Sequence, residues 1–86
     1  MNKKILIVDD MELNRVLLAE AFKDYDIVEA SDGVEALEHI NGGEDIAAVL
    51  LDLIMPGMGG IDVLRDMNRS GIINHIPVFI ITAENE

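Results

Sequence analysis

Eighty-six residues, half of them apolar, make one domain with a thin core rather than a disordered tail. Six Lys and Arg against seventeen Asp and Glu leave a formal charge of −11, which excludes nucleic acid as a direct partner, because phosphate backbones are held by basic side chains. The chain has no Cys, so disulfide and thiol chemistry are excluded, and a cytoplasmic, reducing location is the expectation. No apolar run reaches the length of a membrane span, and the one after Met1 is too short for a signal peptide.

Lys4 to Val8 is a short β-branched run that reads as a strand buried on both faces. Asp9 and Asp10 end it. Leu13, Val16, Leu17 and Ala21 recur at helical spacing, with Leu18 and Phe22 widening the stripe. Asp26 to Ala30 is a weaker strand that suits a sheet edge. Ser31-Asp32-Gly33 opens a second helix, with Val34, Leu37 and Ile40 as its stripe and Gly42-Gly43 as its end. Ile46 to Leu51 is the most apolar strand. A third helix fits Ile61 to Asn68 through Ile61, Leu64 and Met67, stopping near Gly71. Pro77 to Thr82 is a fourth strand, with Pro77 where a missing N–H does least harm. Strands alternating with helices imply an α/β fold with a parallel sheet and right-handed crossovers.

In such sheets ligands bind beyond the carboxyl ends of the strands. Asp9 and Asp10 follow the first strand, Asp52 ends the third, and Thr82 ends the fourth. Singly, each has an ordinary explanation as a cap or turn residue. Together at strand ends they suggest converging carboxylates, which repel and raise one another's proton affinity. A hard divalent cation removes that cost, and Mg²⁺ suits a few carboxylates with waters. Gly57, Gly59 and Gly60 after Asp52 are expected to let the backbone turn tightly and come close to a small ligand. His39 is expected to face solvent, and His75 to lie in a loop. Neither has a partner at zinc-ligand spacing. The five Met read as packing residues.

These residues carry a resemblance. "ILIVDD", "LLDLIMPGMGGIDVL" and "IPVFIITA" resemble the first strand, phosphoacceptor segment and fourth strand of bacterial response-regulator receiver domains of the flavodoxin-like, chemotaxis-regulator type. The resemblance runs along the whole chain. It implies a three-layer α/β/α fold with strand order 2-1-3-4. It implies that Asp52 accepts a phosphoryl group from a histidine kinase or phosphotransfer protein. Asp9, Asp10 and Asp52 would hold Mg²⁺, with the Ile54 backbone carbonyl as a further ligand. Thr82 would be the switch hydroxyl, and Ala83 the small residue that leaves room for the phosphoryl group. Ile54 and Glu84 would flank that group and set its lifetime. The chain would be a phosphoacceptor regulator and not an enzyme.

Two departures stand out. Gly59 replaces a residue that is more often polar in the family. The family also continues with a fifth strand, whose terminal Lys pairs with the phosphoryl group, and two more helices. Residues 1–86 are therefore read as one truncated receiver domain with impaired phosphoryl uptake. A rival reading is an association module that dimerises, or exchanges an element, through the exposed edge Pro77 to Ile81. An aspartyl phosphatase is disfavoured because Ile54 stands where that class usually has a second Asp. A flavin or nucleotide site is disfavoured because Asp9-Asp10-Met11-Glu12 is no phosphate loop.

Overall fold

Strand β1 (Lys4–Val8) lies between β2 (Asp26–Ala30) and β3 (Ile46–Asp52), and β4 (Val78–Ile81) extends the sheet beyond β3, all parallel, in the order β2-β1-β3-β4. This is the expected strand order. The computed structural model describes residues 3–55 and 57–81, so the expectations on Thr82, Ala83 and Glu84 lie outside the described residues. Three helices join the strands: α1 (Glu12–Ala21), α2 (Gly33–Ile40) and α3 (Gly60–Ser70). A 3-10 turn at Ile72–Asn74, with no apolar period to announce it, follows α3 after Gly71 closes that helix at φ 84°.

Side chains alternate across a strand, and β1 divides the core accordingly. Leu6 and Val8 join Val49 and Leu51 of β3 under α2 and α3, where Ala36, Ile40, Val63 and Met67 are buried. Ile5 and Ile7 join Leu50 on the other face, where Leu18 and Ala19 of α1 and Phe22 just after it pack. Register runs from Lys4 opposite Asp26 to Val8 opposite Ala30, and from Ile5 opposite Ala48 to Val8 opposite Leu51. A shift between Lys4 and Ile5 takes up one extra residue in β3. Val8 and Leu51 thus finish level, which brings the residues just after them together.

The helical stripes need correction. Leu13, Val16 and Leu17 are 63%, 51% and 61% exposed, and no residue of α1 is fully buried. The packing face is the widened edge of the stripe, Leu18 and Phe22, with Ala19 between them. In α2 and α3 the first stripe residues, Val34 and Ile61, are also exposed. In the same first turns Ala36 and Val63 are fully buried, so the face turned to the sheet there is carried by residues outside the expected stripes.

His39 does not simply face solvent. It is half-buried, with Nδ1 2.6 Å from Glu44 Oε2, while Lys4 Nζ donates to Glu44 Oε1 at 3.2 Å. The hydrogen bonds to His39 first and to Lys4 second hold the Glu44 carboxyl below its usual range. This knot lies at the amino end of β1, opposite the acids.

Candidate functional site

Asp9 follows the last residue of β1 and is buried, although it is a carboxylate. Every hydrogen-bonding group it has is engaged. Its N–H donates to the Ala30 carbonyl at 3.1 Å. Its carboxylate accepts from the Met11 N–H at 2.9 Å and from Asn14 Nδ2 at 3.2 Å. Its carbonyl accepts from Arg15 Nη1 at 2.8 Å. Burial of this charge is tolerated because donors surround it. Asp10, the next residue, is exposed.

Asp52 is the last residue of β3 and is 5% exposed. Its Oδ1 accepts from the Ile54 N–H at 3.0 Å. This two-residue turn ends the strand and fixes one oxygen. Among the described residues, Oδ2 has no hydrogen-bond partner and no Lys or Arg pairs with Asp52. Burial raises the Asp52 proton affinity above the ordinary carboxylate value, the Ile54 N–H opposes that, and the charges of Asp9 and Asp10 add to it. Asp9, Asp10 and Asp52 each offer an oxygen, and the three lie within 4.8 Å of one another.

The donor set fits a hard cation. In an octahedron with Mg–O of about 2.1 Å, ligand oxygens stand roughly 3.0 Å apart in adjacent and 4.2 Å in opposite positions. A spread of up to 4.8 Å is close to that span, and Asp10, the exposed member, has the most freedom to adjust. Asp9, Asp10 and Asp52 are therefore the residues able to hold Mg²⁺. The Ile54 side chain is 71% exposed, so only its backbone takes part in the turn.

The tight turn expected of the glycines is present at Gly57. Gly57 adopts φ 72°, a left-handed turn that costs glycine little. Gly60 lies against the chain itself: a Cβ there would stand 2.5 Å from the Asp52 carbonyl oxygen and 2.8 Å from Leu53 Cα. The first residue of α3 thus packs directly on the end of β3. A cleft of about 210 Å³ opens beside Asp9 and is lined by Asn14, Leu17, Leu18 and Ile81. Sequence reasoning missed Asn14 and Arg15. Their signal was two polar residues inside an otherwise apolar helical stripe, one turn beyond the acidic pair.

The comparisons agree with this geometry. Residues 5–86 match the family model described as response regulator receiver domain. The chain is 41% identical to chemotaxis protein CheY-3 of Vibrio cholerae over 86 residues, covering 96% of this chain and 65% of that protein. It is 43% identical to sporulation initiation phosphotransferase F of Bacillus subtilis, covering 100% of this chain and 68% of the relative. Against the CpxR homolog of Haemophilus influenzae it is 36% identical and spans 36% of the length. The crystal structure of response regulator TrrA from Thermotoga maritima, solved in complex with Mg²⁺-BeF, superposes with a TM-score of 0.84 at 33% identity, covering 96% of this chain and 71% of that one. Flavodoxin-like topology, three acids at the carboxyl end of the sheet and a family match along nearly the whole length lead to one conclusion: the chain belongs to the response regulator receiver domains of two-component signalling.

Proposed function

We propose that Asp52 is the phosphoacceptor and that the phosphoryl donor is the phosphohistidine of a sensor histidine kinase or phosphotransfer protein. The observation that carries this reading is the state of Asp52. It is a buried carboxylate with one oxygen fixed by the Ile54 N–H, the other without a partner among the described residues, and two further carboxylates within 4.8 Å. The free oxygen attacks phosphorus. The P–N bond breaks, its electron pair returns to the donor's imidazole, and an acyl phosphate forms on Asp52. Such transfers depend on positioning and charge neutralisation more than on covalent help. Asp9, Asp10, Asp52 and the Ile54 carbonyl would hold Mg²⁺, which when bound offsets the negative charge of the carboxylates and the incoming group. Thr82 is assigned the switch hydroxyl and Ala83 the space beside it. The domain works as a signalling switch rather than an enzyme. Apolar residues left open at the helix starts, Leu13, Val34 and Ile61, support a protein partner at this end of the sheet.

All six basic residues have other places. Lys3 and Lys4 stand at the amino end of β1, and Lys23, Arg65 and Arg69 lie near acids three residues away on helices or just beyond. Arg15 is tied to Glu29 and the Asp9 carbonyl. Among the described residues no Lys or Arg is therefore placed to meet a phosphoryl group on Asp52, and uptake should be low. Incubation with acetyl phosphate should give substoichiometric, Mg²⁺-dependent, hydroxylamine-sensitive labelling that Asp52→Asn abolishes. Labelling that ignores Mg²⁺, or that survives Asp52→Asn, would refute the assignment.

A second reading rests on β4. Its only partner among the described residues is β3, and Phe79 and Ile80 are 56% and 45% exposed on this apolar edge. Edges of this kind recruit other strands, so the chain as it stands should form a homodimer or swapped oligomer. Light scattering at micromolar concentration should give at least twice the 9.4 kDa chain mass; a cooperative monomer contradicts it.

A further inference from the structure

Asn14 and Arg15 are neighbours on the first turns of α1, and both reach back to Asp9. A carboxylate only accepts hydrogen bonds, so the Asn14 amide must present its NH₂ to Asp9 Oδ2, at 3.2 Å. Arg15 uses its fork twice. Nη1 donates to the Asp9 carbonyl at 2.8 Å and Nε donates to Glu29 Oε1 at 2.9 Å. Glu29 is on β2, opposite Ile7 of β1. One guanidinium thus links α1, the end of β1 and β2. Its side chain is 16% exposed, so it is packed in place rather than waving in solvent.

The arrangement has a further consequence. A guanidinium this near a carboxylate cluster could compete with a metal ion for it. Here its charge is spent on Glu29 and a backbone carbonyl, and the side-chain donor to the Asp9 carboxylate is the neutral amide of Asn14. We infer that Asn14 and Arg15, anchored by Glu29, are positioning residues that hold the Asp9 carboxylate and backbone in the geometry that binds a divalent cation with Asp10 and Asp52. The inference rests on the Mg²⁺ reading above. Neither residue touches the reacting atoms; both act through Asp9. Groups that orient metal-binding side chains typically account for 10-fold to 100-fold in affinity.

The test is Mg²⁺ titration of the 86-residue chain, followed by calorimetry and by amide NMR shifts at Asp10, Asp52 and Leu53. The wild-type chain should bind. Asn14→Ala and Arg15→Met should each weaken binding about 10-fold, with circular dichroism in chelator unchanged. Arg15→Lys, whose single ammonium cannot span both acceptors, should lose part of that. Glu29→Gln, at a half-exposed position that tolerates substitution, should lose less in the same direction. The decisive arm is the Asp9→Asn background, in which Asn14→Ala should change affinity no further, because coupled residues are not additive. A general loosening of the fold would lower affinity by the same factor in both backgrounds, and that result overturns the inference. So does an unchanged affinity in Asn14→Ala and Glu29→Gln. If the wild-type chain itself shows no Mg²⁺ response, the metal reading falls and this inference falls with it.

Discussion

Asp52→Asn should stabilise the metal-free chain. The wild-type carboxylate lies within 4.8 Å of two others. At that distance two unit charges repel by roughly 3 kcal/mol at an effective dielectric near 20, and by just under about 1 kcal/mol in bulk water. Asp9 is buried and belongs nearer the first limit; Asp10 is exposed and belongs nearer the second. Against this, the Ile54 N–H loses a charged acceptor and keeps a neutral one, at a cost of about 1 kcal/mol. Asn retains the oxygen that ends the strand, and its NH₂ can donate to Asp9 or Asp10. The net gain should be about 1–3 kcal/mol, which for a domain of this size is roughly 4–24 °C in Tm. The assay is thermal unfolding by far-UV circular dichroism in EDTA, at pH 7 and again under acid conditions. Burial and the neighbouring acids raise the Asp52 proton affinity in the fold. Its favourable contribution is therefore present below the unfolded carboxylate pKa and lost as pH rises through the folded value. The advantage of Asn should accordingly shrink in acid. Mg²⁺ should narrow it from the other side by stabilising wild type more. An unchanged or lower Tm for Asp52→Asn in chelator at pH 7 would refute the repelling-cluster account.

Glu44 has the opposite sign: its pKa is lowered from 4.5 in the fold, so its contribution is full above that value and lost as pH falls through the lower folded one. The metal-free chain should therefore be most stable under mildly acidic conditions, and Glu44→Gln should flatten the loss on the acid limb; acid titration of Tm checks this. Gly60→Ala should destabilise by about 1–3 kcal/mol, as overpacking does, because its Cβ would meet the Asp52 carbonyl at 2.5 Å; urea unfolding measures it, and a neutral result would mean that α3 shifts freely. Ile54→Asn places a hydrogen-bonding group where an exposed apolar one stands, and should shorten the lifetime of the acyl phosphate; an unchanged decay rate removes Ile54 from the account. Phe79→Lys should dissociate the assembly or unfold it, read by light scattering together with circular dichroism.

Strand pattern carried most of what the sequence revealed. β1 and β2 fall on their expected residues, because short β-branched runs bounded by acids and turns allow little choice. β3 runs one residue further, to Asp52 itself. The acidic trio was legible because parallel strands force their carboxyl ends together. The helical faces were read less well. In α1 an apolar period wide enough to include Leu13 through Phe22 does not say which side meets the sheet, and packing chose Leu18, Ala19 and Phe22. The Gly60 contact was invisible because the partner is the chain's own backbone. His39 escaped because its partner, Glu44, reaches it across the α2–β3 turn. Asn14 and Arg15 interrupt the apolar stripe, but that interruption alone does not say that they reach back to Asp9.

That α1 has no fully buried residue bears on how the acidic site breathes. A helix that buries no side chain fully should open locally at lower cost in free energy than the central strands, and its amides should exchange with deuterium before those of β1 and β3. Yet α1 brings Asn14 and Arg15 to Asp9, and the Met11 N–H just ahead of it is a third contact. Each excursion of the helix releases that carboxylate while Asp52 stays fixed in the sheet. Occupancy of the acids should therefore register as slowed exchange along α1, including residues such as Leu17 and Ala21 that never meet an ion.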